Sequence, residues 1–107
     1  MSRSSATRRG QGRLLAPRLL RAEDRALLAA GRGDARAFTR LYDRLAPAAI
    51  SVATVVTGDA RCARLAVTEA FVELWREAAT FDVRRASART WLLSLVQQRA
   101  ARLGPPC

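Results

Sequence analysis

Apolar residues recur along this chain at the intervals of amphipathic helices, and the polar residues between them mark where one helix stops and the next begins. A first helix is expected over residues 17–30, opened by Pro17 and stopped by Gly31. Gly31-Arg32-Gly33 then makes a turn, and Asp34 is placed to cap the next helix. In that helix Phe38, Leu41, Tyr42 and Leu45 follow the i, i+3, i+4, i+7 pattern, with Arg36, Arg40, Asp43 and Arg44 outside. Pro47 lacks an N–H and crowds the preceding turn, so an interruption or restart is expected there. Residues 48–57 carry Ile50, Val52, Val55 and Val56; with no other strand to pair with, they read as a short buried helix.

Gly58-Asp59 supplies a stop and a new cap, and the longest helix is expected over 60–79. Its buried stripe is Ala63, Val67, Ala70, Phe71, Leu74 and Ala78. Leu65, Glu69, Val72, Glu73 and Arg76 lie on the other side, a mixture suited either to a partner or to a wider core stripe. After a loop over 81–86, Ser87 caps a last helix with Trp91, Leu92, Leu95 and Val96 inward, ended by Gly104-Pro105-Pro106. The fold class that follows is all-α, a small bundle of four to five helices over 17–103. A disordered basic arm (1–16) precedes it and a short tail (104–107) follows.

Charge sharpens the picture. The chain has 19 basic and 9 acidic residues in 107, a net charge of +10 with no His. The first 22 residues hold six Arg and no acid, and residues 83–107 hold five Arg and no acid. All nine acids lie between, over 23–82, beside eight Arg. Two basic zones around a balanced middle attract phosphate, with strong salt dependence. Nucleic acid is therefore the first partner to consider.

Catalytic chemistry finds no support. No Gly-rich phosphate loop follows a strand, and without His no acid–base or nucleophile–base pair suggests itself. Glu69, Glu73 and Glu77 are spaced i, i+4, i+8, which reads as an acidic ridge rather than a metal face. Cys62 and Cys107 form neither a disulfide framework nor a zinc site, and a reducing cytoplasm is the natural setting. No apolar run approaches a membrane span. No enzyme activity, cofactor or small-molecule substrate is expected.

Several short patterns occur together in order. Gly33-Asp34, Ala37-Phe38, Leu41-Tyr42 and Thr57-Gly58-Asp59 are followed by residues 69–75 (EAFVELW), Phe81-Asp82 and residues 86–92 (ASARTWL). As a set, over roughly residues 22–102, this resembles the region 2 domain of extracytoplasmic-function (ECF) sigma factors of bacterial RNA polymerase. The resemblance implies that the long helix meets the clamp helices of the polymerase core through Leu65, Glu69, Val72, Glu73 and Arg76. It implies that Arg84, Arg85, Ser87, Arg89 and Thr90 meet the displaced strand of the promoter −10 element, with Gln97, Gln98 and Arg102 on the adjacent DNA. Trp91 either stacks on a base or anchors the core, and its place at the head of an apolar stripe favours the anchor.

The family's acidic stretch before the Phe is represented here by Arg64, Leu65, Ala66, Val67, Thr68 and Glu69, where only the Glu is kept. The family's C-terminal helix-turn-helix domain for the −35 element would follow where this sequence stops. Two alternatives therefore stand beside promoter opening. One is a non-initiating module that titrates an anti-sigma factor or another regulator; the other is a non-specific nucleic-acid-binding helical protein.

Overall fold

A computed structural model describes residues 20–103. The expected basic arm, the C-terminal tail and the first residues of the expected first helix lie outside the described residues. Four helices form the fold: α1 (Ala22–Gly31), α2 (Ala35–Thr57), α3 (Ala60–Glu77) and α4 (Ala88–Leu103), with a 3-10 turn (Ala78–Thr80) closing α3. The all-α class holds, and no strand occurs among the described residues.

The first helix starts later than its proline suggested. Leu20 and Arg21 are not helical, and no side chain caps α1, whose N-cap is Arg21. Glu23 and Asp24 fall in its first turn, where negative charge suits the helix dipole, yet both are buried. Gly31 is the last residue of α1. A methyl group on it would stand 2.6 Å from the carbonyl oxygen of Ala78. Glycine is required there by close approach, since α1 ends against the backbone of the 3-10 turn.

The second helix corrects the expected break at Pro47: α2 runs unbroken for 23 residues through it. Ala37, Leu41, Leu45, Ala49, Ala53 and Thr57 recur every fourth residue and are completely buried. Steps of four advance about 40° beyond a full turn, so this stripe winds round α2 and meets α1, α3 and α4. Burial on both sides of Pro47 outweighs the local cost of one missing hydrogen bond, and Pro47 itself is exposed. The β-branched residues near the end are not the buried ones, for Val55 is 85% exposed. Asp34 caps α2 by accepting the Ala37 N–H at 3.0 Å, and Gly58, at φ 70°, ends it.

Every residue expected in the inward stripe of α3 is buried. Cys62 and Ala66 join it. In α4, Leu92, Leu95 and Val96 are buried as expected with Ala88 and Ala100, while Trp91 is only half-buried. No described helix is long and apolar enough to cross a membrane.

Candidate nucleic-acid interface

The segment between Thr80 and Ala88 is a structured loop. Asp82 begins it with a local turn: its carboxylate accepts the Arg84 backbone N–H at 2.9 Å, and its carbonyl accepts the Arg85 N–H at 2.9 Å. The Arg84 side chain returns to the same carboxylate through Nε and Nη2, each at 3.1 Å. These hydrogen bonds from Arg84 hold the Asp82 carboxyl below the usual carboxylate range. Phe81 stacks on Trp91 with ring centroids 5.9 Å apart and planes 12° apart. Trp91 thus anchors the loop to α4 and keeps its other surroundings open. A cleft of about 370 Å³ lies between the 3-10 turn and the loop, with Phe81, Arg85 and Trp91 among its walls.

The start of α4 is capped twice. Ser87 Oγ accepts the Thr90 N–H and donates to the Thr90 hydroxyl, both at 3.0 Å. The Ala88 N–H donates to Asp24 Oδ1 of α1 at 2.8 Å, a contact between residues 64 apart in sequence. Beside it, Arg89 donates to both oxygens of Glu23, from Nη2 at 2.7 Å and Nε at 3.2 Å. Arg44 of α2 adds a third group at 3.9 Å from Glu23. Hydrogen bonding to Glu23 raises the pKa of the Arg89 guanidinium.

The expected strand-binding residues therefore divide. At about 100° per residue, Ser87, Trp91, Gln98 and Arg102 share one side of α4, with Thr90 and Gln97 flanking it. Arg89 lies about half a turn from Gln98 and is held by Glu23, so the structure places it apart from that strip. Arg84 is shared with Asp82, whereas Arg85 and Arg102 form no salt bridge among the described residues.

The second expected face, on α3, also divides. Leu65 is 47% exposed and Val72 44%, and Arg76 is exposed as well. Glu73 instead turns toward α4 and pairs with Arg99, which lies 3.7 Å from Glu69. The acidic ridge expected from Glu69, Glu73 and Glu77 is thus partly an internal strut between α3 and α4, and no metal-binding cluster occurs among the described residues.

An apolar groove between α2 and α3 continues this face. Phe38 packs edge-on against Phe71 and Trp75, at centroid distances of 6.1 and 5.0 Å, and Tyr42 meets Phe71 at 4.6 Å. Tyr42 and Trp75 remain 42% and 41% exposed. The sequence pattern placed Phe38 and Tyr42 in the core stripe. The every-fourth-residue stripe of α2 passes beside them instead, and only aromatic residues at its edge could have signalled a groove.

Residues 41–103, more than half of the chain, match the model for sigma-70 region 2. The chain belongs to the sigma-70 region 2 family. Its curated relatives include the ECF RNA polymerase sigma factor SigK of Mycobacterium ulcerans (strain Agy99). That protein is 30% identical over 69 residues, covering 64% of this chain and 37% of the relative. SigK of Mycobacterium tuberculosis (strain ATCC 25177 / H37Ra) is 31% identical over 84 residues, covering 78% and 45%. SigK of Mycolicibacterium vanbaalenii is 34% identical over 67 residues, covering 63% and 34%. The chain spans between a third and a half of the length of these relatives. No solved structure matches. Within this region 2 fold, α2 is matched only from Leu41 onward, and all of α1 precedes the matched segment.

Proposed function

We propose that this chain is the promoter-opening module of an ECF-type sigma factor, a non-enzymatic initiation factor working beside RNA polymerase in the cytoplasm. The exposed face of α3, with Leu65, Glu69, Val72 and Arg76, docks on the clamp helices of the polymerase core, and Glu73 supports it from the α4 side. The loop and the outward strip of α4 then bind the displaced −10 strand.

The observation that carries this reading is the layout at the loop. Phe81, Arg85 and Trp91 line an open cleft, with Glu77 and Asp82 at its edge, and the hydroxyls of Ser87 and Thr90 stand nearby at the start of a strip of α4 that contains no acid. Arginine and hydroxyl groups hold phosphate, amides such as Gln97 and Gln98 read base edges, and an aromatic wall accepts an unstacked base. Reconstitution with purified core polymerase tests it. The complex should bind a fluorescent −10 single strand in preference to a scrambled one, and the chain alone should not. A chain that ignores the core enzyme at low salt would sink the proposal. Equal binding of both strands would favour a non-specific nucleic-acid-binding protein.

One observation favours a second reading. The apolar face formed by Leu65, Val72, Trp75 and Tyr42 is exposed, and Arg64 stands beside it where the family carries acid. A module that titrates an anti-sigma factor would use this face without initiating. Arg64→Glu with Leu65→Asp would then weaken capture of that regulator and strengthen core binding; an unchanged regulator contact excludes it.

A further inference from the structure

We infer that α1 is a splint for the strand-binding loop and that Asp24 is its positioning residue; the inference rests on the strand-binding reading of that loop. The ten residues of α1 touch both ends of the loop. At its C-terminal end, Gly31 lies so close to the Ala78 carbonyl that no side chain fits, which fixes the approach to Phe81. At its N-terminal end, Asp24 accepts the Ala88 N–H and Glu23 grips Arg89, which fixes the exit.

Packing alone does not call for these groups. Asp24 is 4% exposed and Glu23 is 7% exposed, and burying a carboxylate is costly unless it gains strong partners. Ser87 caps only the Thr90 N–H, and the buried Ala88 N–H is a separate donor that Asp24 alone takes up from another helix. What the buried carboxylate adds is a charge-assisted hydrogen bond that ties the first turn of α4 to a separate helix. The loop between is internally braced by Asp82 and by the Phe81–Trp91 stack, so fixing its two ends fixes the cleft. The α1 side of these contacts, Glu23, Asp24 and Gly31, lies outside residues 41–103, where the family match resides.

The test compares Asp24→Ala with Asp24→Asn in the full chain. Amide exchange is followed on the chain, and binding of the −10 strand on its complex with core polymerase. Asp24→Ala should speed exchange over residues 82–90 and weaken strand binding by about tenfold, the scale of one lost charge-assisted hydrogen bond. Core affinity should stay unchanged. Asp24→Asn keeps an acceptor oxygen for the Ala88 N–H and should recover most of both signals. Wild-type exchange and strand affinity in Asp24→Ala would overturn the proposal, as would parallel loss of core affinity, strand affinity and protection across α2 and α3. If Asp24→Ala does not fold, Asp24→Asn and Glu23→Gln decide by the same criterion, local against uniform loss of protection. A wild-type complex that forms but ignores the −10 strand overturns the strand-binding reading, while exchange still decides the splint.

Discussion

Replacing Pro47 with alanine should stabilise this protein. Pro47 lies in the middle of a continuous α2, and its ring nitrogen cannot donate to the carbonyl of Asp43 four residues earlier. A proline in a helix interior is disfavoured against alanine by roughly 3 kcal/mol. Pro47 is exposed, so water can reach the unpaired carbonyl and relieve part of that cost, leaving a gain of about 1–2 kcal/mol. Each kcal/mol moves the midpoint of a domain this size by roughly 4–8 °C, so thermal melts followed by far-UV circular dichroism should shift upward by about 5–15 °C. Leu45 and Ala49 flank Pro47 and are both fully buried, so a true break would displace one of them. An unchanged or lowered midpoint in Pro47→Ala would refute the continuous helix and favour two helices meeting at an angle.

Gly31→Ala should do the opposite. Alanine is the better helix former by about 1 kcal/mol, but its methyl group would stand 2.6 Å from the Ala78 oxygen, and overpacking of this kind costs about 1–3 kcal/mol. A lowered midpoint in urea or heat is expected, and a raised one would contradict the close approach. Acid should loosen the loop late. Asp82 has its pKa lowered in the folded state, so its contribution is present above the unfolded value of about 3.9 and is lost as pH falls through the lower folded value. NMR titration of the Asp82 carboxyl and the Arg84 amide should show both unchanged at about pH 5, with a midpoint below 3.9; a midpoint at or above that value would mean the Asp82–Arg84 pair is not formed in solution.

How much of this was legible beforehand differs by element. The stripe of α3 was plain, because Val67, Phe71 and Leu74 are large and their spacing is helical. In α2 two local signals pointed the wrong way. Pro47 suggested a break, and Val55 with Ile50 suggested burial in a segment whose actual inward face is Ala49, Ala53 and Thr57. Alanine carries little pattern of its own, so a stripe built from it emerges only when helices pack closely around it. The groove escaped for a related reason: Phe38 and Tyr42 belong to the apolar half of α2 by spacing, and only the position of α3 decides that they stay partly open.

The site was legible as a segment and illegible in its charges. Counting Arg along 83–107 shows no acid, yet Arg89 is neutralised by Glu23 across 66 residues and Arg99 by Glu69 and Glu73. Salt dependence separates the two pictures. A single strand loses affinity with a log–log slope of about 0.7 per phosphate contact, so Arg84, Arg85, Arg89 and Arg102 together would give a slope of about 2.8, and Arg85 with Arg102 alone about 1.4. In the complex with core polymerase, Arg85→Gln and Arg102→Gln should each lower the measured slope by about 0.7. Arg89→Gln should leave the slope unchanged and lower the unfolding midpoint instead, because it removes the bidentate partner of a carboxylate that is 7% exposed. If Arg89→Gln reduces the slope as Arg85→Gln does, Arg89 leaves Glu23 for a phosphate when DNA binds. Glu23 would then be a stand-in for the strand, and its pairing with Arg89 would belong to the unbound state alone.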